Sequence, residues 1–161
     1  EHTNIVINEI FKLFIKDKSL DDWKYAKLIS TIFPKFNQEL EYEMIKFMKE
    51  KNIEFIILIL RNYKGELFIH NICKEIIKRY GKKYYNNLFI ILSQTGVVCG
   101  EYGFVEAYKQ KKKEIQEWKK DNNKVINIFI NKYEEFLDKQ IDYETKRAEE
   151  NIQVRKFAFE S

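Results

Sequence analysis

One proline in 161 residues, Pro34, constrains this chain more than any other feature. Proline breaks helices and central strands alike, and only five glycines stand beside it, so the backbone meets few interruptions. Long helices are the natural consequence. Three of the glycines, Gly96, Gly100 and Gly103, fall within one short stretch between two helix-rich halves. Each can adopt backbone angles that a side chain would block. Val97, Val98, Tyr102 and Phe104 are interleaved with them, and that apolar company predicts a packed elbow. A phosphate-cradling loop would need a Lys-Ser/Thr ending and a preceding strand, and the stretch has neither.

The length suits one domain with a real core. Charged residues make up 34% and hydrophobic ones 45%, a globular balance. The net charge of +4 is small for a nucleic-acid binder of this size. Cys73 and Cys99 form no CxxC pair and no disulfide framework, so free thiols in a cytoplasmic setting are expected. No signal peptide opens the chain, and Ile53–Leu60 is far short of the ~20 apolar residues of a membrane span. Because the first residue is Glu1, a piece of a longer protein is expected.

Apolar spacing predicts a first helix over Asn4–Lys16 on Ile5, Ile7, Phe11, Phe14 and Ile15. A second starts at a Ser19 cap, buries Leu20, Trp23, Leu28, Ile32 and Phe33, and stops at Pro34. Asn37 caps a third, reaching about Lys49. Ile53–Tyr63 is apolar nearly all round; a helix is preferred to a buried strand because no partner strand is evident. After Lys64-Gly65 a fifth helix starts at Leu67 and ends at Tyr80-Gly81, a C-cap position. A sixth covers Tyr84–Gln94, a seventh Phe104–Lys120, and a last begins at Lys124 with an i+4 row at Val125, Phe129, Tyr133, Leu137 and Ile141. Beyond Ile141 the apolar pattern thins, so this helix either projects into solvent or needs a partner.

Pairs of helices begin near Leu20, Ile53 and Tyr84, about thirty residues apart. That period marks an α-solenoid, and without the tetratricopeptide residues it fits a HEAT-like array. The expected architecture is all-α: one domain over 1–161, with helical hairpins in 1–95, the elbow in 96–103 and C-terminal helices in 104–161, the long last one capping the array; a compact helical bundle is the alternative.

Reactive side chains are few. His2 and His70 are the histidines, and His70 shares a helix face with Cys73 three residues on. Two ligands fall short of the four a zinc site wants, so packing is the expected role. Cys99 with His70 is the one conceivable nucleophile and base. Adjacent carboxylates such as Asp21-Asp22 and Glu149-Glu150 diverge on a helix and read as solvated surface. No catalytic residue, metal or cofactor is expected. Lys109, Lys112, Lys113 and Lys120 cluster toward one face and are the candidate phosphate or nucleic-acid contacts. Tyr84, Tyr85 and Tyr102 lie at turns and are the candidate interaction surface.

The segment GVVCGEYGFVEAYKQKKKEIQEW, followed by VINIFINKYEEFLDKQIDYETKRAEENIQVRKF, resembles the closing segment of HEAT-like arrays in large bacterial proteins. Some of those are STAND-type NTPases of antiviral defence, with a repeat-built sensor after the nucleotide-binding domain. The likeness rests on the Gly-Glu-Tyr-Gly-Phe elbow, Trp118 and the Arg147–Glu150 stretch, and covers roughly the last 70 residues. It implies a non-catalytic sensing or partner-binding role, with any ATPase outside this chain because no Walker motif is present. Expected partners are a protein or other domains of a larger chain; nucleic acid bound by the basic face is the alternative. Antiparallel dimerisation through residues 124–158 is a further expectation, and no membrane contact is expected.

Overall fold

The computed structural model describes residues 3–16, 22–63 and 69–160. Eight α-helices occupy them: α1 (Thr3–Lys16), α2 (Asp22–Ile32), α3 (Gln38–Phe47), α4 (Ile53–Leu60), α5 (Ile69–Tyr80), α6 (Tyr85–Ser93), α7 (Gly103–Gln116) and α8 (Lys124–Glu160). Short 3₁₀ turns precede α4 and α6 and follow α7. The described residues contain no strand, and Ile53–Leu60 is helical as the flanking pattern predicts. The expected roles of His2, Ser19, Leu20, Asp21, Lys64, Gly65 and Leu67 lie outside the described residues.

Local chemistry sets the boundaries. Pro34 follows α2 by two residues. Asn37 caps α3, its side-chain oxygen accepting from the Leu40 amide at 2.8 Å. Asn52, only 4% exposed, stitches the α3–α4 turn by accepting from the Lys49 amide and donating to the Phe47 carbonyl, both at 2.6 Å. Gly81 ends α5 at φ +57°, the left-handed cap that glycine permits. Asn122 turns left-handed after α7, and Asn123 caps α8 through the Val125 and Ile126 amides at 2.9 and 3.3 Å.

The chain divides at the Arg79–Tyr80 bond into two compact units. In the first, α1 packs on α3 and α2 on α4. Residue numbers rise together across the first pair: Asn8 donates to Glu43 at 3.1 Å and Phe11 stacks on Phe47 at 3.9 Å, so α1 and α3 point the same way. A similar offset of 30 to 35 residues recurs where Tyr63 donates to the Phe33 carbonyl at 2.7 Å and where Arg79 at the end of α5 donates to the Ile45 carbonyl of α3 at 3.3 Å. The core is aliphatic from α4 and α5, with Phe14 stacked on Phe55 at 3.8 Å.

This stacking overturns part of the expected burial. Ile7, Ile10 and Phe11 of α1 are buried, but Ile5 and Ile15 are exposed. On α2 the buried residues are Ala26 and Ile29, whereas Trp23, Leu28 and Ile32 stand in solvent at 55, 41 and 43% exposure. α1 is covered by α3 and α2, and α2 by α4 and α1, and the exposed side chains lie off the stripes so covered.

In the second unit α7 and α8 run antiparallel. Contacts step from Lys112–Asp138 to Arg155–Glu101, one number falling as the other rises. The partner sought for the end of α8 is thus α7 itself together with the elbow, and Ala148 is buried at 2% exposure. The buried stripe of α8 is Ile126, Phe129, Ile130, Tyr133 and Leu137, while Val125 and Ile128 are exposed. A strict i+4 row drifts about 40° per step, so the stripe alternates steps of three and four. α6 lies against α8 through Phe89, which meets Phe129, Tyr133 and Phe136 within 5.2–5.5 Å.

Candidate functional site

The predicted basic face lies on α7 and the 3₁₀ turn after it. Lys109, Lys112 and Lys113 line a cleft of about 440 Å³ against α8, with Glu106, Gln116 and Glu134 beside them. The charges there are largely answered. Lys109 bonds Glu106 at 2.9 Å, and Lys112 reaches across to Asp138 at 2.6 and 2.8 Å. Lys120 pairs with Glu117 one turn back. Lys113 alone of the four has no carboxylate partner among the described residues. Gln116 donates to Glu134, to which Lys119 also closes at 3.5 Å. The cleft is a zipper between two helices, and an incoming phosphate would compete with carboxylates for three of the four lysines.

The tyrosines separate. Tyr84 and Tyr85 are buried at 3% and 6% exposure, with Tyr84 edge-on to Tyr80 and Tyr85 edge-on to Phe129. Tyr84 is packed in the core, and Tyr85, buried though it is, also lines a cleft between α6 and α8. Tyr102 is 41% exposed. Tyr108, half-buried on α7, has its phenol pKa held above the usual value by burial and then by the Glu144 charge.

The elbow, residues 94–102, joins α6 to α7 inside the second unit. Gly100 has φ +82°, a conformation that favours glycine, and at the start of α7 a Cβ at Gly103 would meet the Val98 Cβ at a close 3.1 Å. Gly96 faces open space at an ordinary φ. Val97 is 98% exposed and Cys99 is exposed, so the apolar residues of the elbow are packed only at Val98.

His70 is half-buried on α5 in the first unit, and Cys99 is exposed in the elbow of the second. Cys73 is fully buried; burial, and then the Glu41 charge, push its thiol far above the usual range, which leaves it unreactive. Among the described residues no group of three or more His, Cys, Asp or Glu side chains could hold a metal ion. No helix among them is long and apolar enough to cross a membrane. No family model, curated protein or solved structure matches the chain.

Proposed function

We propose that this chain is a non-catalytic interaction or ligand-sensing module, a HEAT-like helical-hairpin array serving as the C-terminal part of a larger bacterial protein. One observation carries the reading. In the first unit α1 lies parallel to α3, the next helix but one, and contacts at a similar offset of 30 to 35 residues recur at Phe33–Tyr63 and Ile45–Arg79. That step is how solenoid hairpins stack, each burying a face that it cannot bury alone. The first hairpin also leaves Ile5, Leu13, Ile15, Trp23, Leu28 and Ile32 exposed, which is where a further layer or partner would stack. The elbow and last helix resemble terminal segments of arrays in STAND-type antiviral NTPases, and this supports a sensor role.

The test is to co-express the chain with the rest of the polypeptide encoded by its reading frame. The double variant Leu13→Lys/Ile32→Lys should fold as the parent does and lose co-purification. Retained co-purification, or a reading frame containing nothing beyond these residues, overturns the reading.

The second reading is nucleic-acid binding by the α7 face. Its support is that Lys109, Lys112 and Lys113 line one cleft. Gel retardation at low and high salt checks it: binding that falls steeply with salt supports it, and none at low salt removes it.

A further inference from the structure

Three further lysines that no carboxylate answers lie together elsewhere on the second unit. Lys132, Phe136 and Lys139 follow one another at four and three residues on α8, which places them on one face. The entry to α6 brings Lys82, Tyr85 and Phe89 opposite them, and the two elements enclose a cleft of about 390 Å³. Lys82, Lys132 and Lys139 are all exposed and have no ion-pair partner among the described residues. The lining acid is Glu135, so two positive charges remain in excess.

The floor is aromatic. Phe89 and Phe136 are half-buried and stacked with centroids 5.5 Å apart at 23°. Phe89 also stacks on buried Tyr133 at 5.5 Å and 29°. These rings are held from below by the core of α6 and α8, so their geometry is fixed before any ligand arrives. A fixed π-surface at the foot of unanswered cations suits a ligand that carries a flat ring and an anion together. The volume falls within the range of small-molecule sites.

We propose that this cleft binds a nucleobase carrying phosphate, the base against Phe89 and Phe136 and the phosphate held by Lys132, Lys139 and Lys82. The assignment rests on the ligand-sensing reading and gives it a ligand class. It uses none of the residues of α1, α2 or the α7 lysine face. The shared chemistry can come from a free nucleotide or from a single strand of nucleic acid.

The experiment is titration of the whole chain, followed by amide correlation spectra, with 5′-AMP, with a short oligothymidylate and with inorganic phosphate. AMP should shift the amides around Asn86, Phe89, Lys132 and Phe136, with a Kd on the order of 0.1–1 mM. Lys132→Gln/Lys139→Gln should weaken binding about tenfold, the size of two exposed charge contacts. Phe136→Leu keeps an apolar side chain there and should weaken AMP more than phosphate. Lys109→Gln/Lys113→Gln should leave binding unchanged. Tighter binding of AMP identifies a free nucleotide; tighter binding of the oligonucleotide, lost steeply with salt, identifies a single strand. Three results overturn the proposal: no shifts from either nucleotide probe at about 5 mM, phosphate alone shifting the same amides at the same concentration, or binding lost in the Lys109/Lys113 variant and kept in the Lys132/Lys139 variant. The co-purification test depends on α1 and α2 alone, so each can fail without the other.

Discussion

In the first unit α1 meets α3 through rings, Phe11 on Phe47, with Phe14 on Phe55 beside them. In the second, α7 and the segments flanking it meet α8 through charges: Lys112 with Asp138, Lys119 of the following turn with Glu134, and Glu101 of the elbow with Arg155. The ion pairs Lys12–Glu9, Lys46–Glu43 and Lys78–Glu75 of the first unit join residues three apart on one helix and stabilise that helix. The second unit has such pairs too, as at Lys109–Glu106 and Arg147–Glu144, but Lys112–Asp138, Lys119–Glu134 and Arg155–Glu101 cross between segments and set their register. Apolar burial supplies most of the stabilisation in both, but it is non-directional, whereas a carboxylate–ammonium contact has a place. A long hairpin can slip by a turn and still bury apolar surface. The polar zipper is what penalises the slip.

The largest effects should come from the cores and be alike in the two units. Phe55→Ala and Phe129→Ala each remove a ring at 1% or less exposure and should cost about 3–5 kcal/mol in urea unfolding. A cost below about 1 kcal/mol for either would show that its unit is not held by its rings. Next comes Gly100→Val, which forces a β-branched residue to φ +82° and should cost about 1–3 kcal/mol. Gly103→Val should also lower the melting temperature by pressing on Val98, while Gly96→Ala should stay within about 0.5 kcal/mol of the parent. Equal melting temperatures for all four proteins would remove the elbow from the account.

The charge contrast is smaller and conditional. Lys112→Ala should cost about 0.5–1 kcal/mol at low salt and less at high salt. Lys12→Ala, whose pair lies on one exposed helix, should cost no more than about 0.5 kcal/mol. If the two variants respond identically to salt, the distinction between zipper and helix pair fails.

The smallest effect tests an electrostatic cost within the first unit. Burial raises the Glu41 pKa above the usual carboxylate value. A raised carboxyl contributes stability that is complete below the unfolded pKa and is lost as pH rises through the folded one. At pH 7 the charged Glu41 is therefore a liability. Glu41→Gln should raise the urea midpoint there, and the gain should vanish at pH values below the unfolded pKa. A gain that persists at low pH would assign the effect to something other than ionisation.

Much of the fold was legible because its signals are local. Asn37, Asn123 and Gly81 act within three or four residues of themselves, and each does what its position predicts. The helical reading of Ile53–Leu60 held for the same reason, since its neighbours on both sides are helical. Which stripe each helix buries was less legible. Trp23, Leu28 and Ile32 look like core from composition, but α2 is covered along a line that only the stacking of distant helices defines. Tyr84 and Tyr85 fail in the opposite sense: a turn position suggested exposure, and Phe129, some forty residues away, buries Tyr85. The Lys82–Lys132–Lys139 cleft went unseen because its lysines are scattered singly in sequence. The conspicuous run at Lys109–Lys113 drew attention, although carboxylates answer most of it.

α8 runs unbroken for 37 residues, roughly 55 Å at 1.5 Å per residue. No glycine or proline interrupts it, so it behaves as a stiff rod and not as a chain of joints. It is held toward both ends, by the ring packing around Phe129 and by Arg155 against Glu101, so it works as a strut that braces α6, α7 and the elbow against one another.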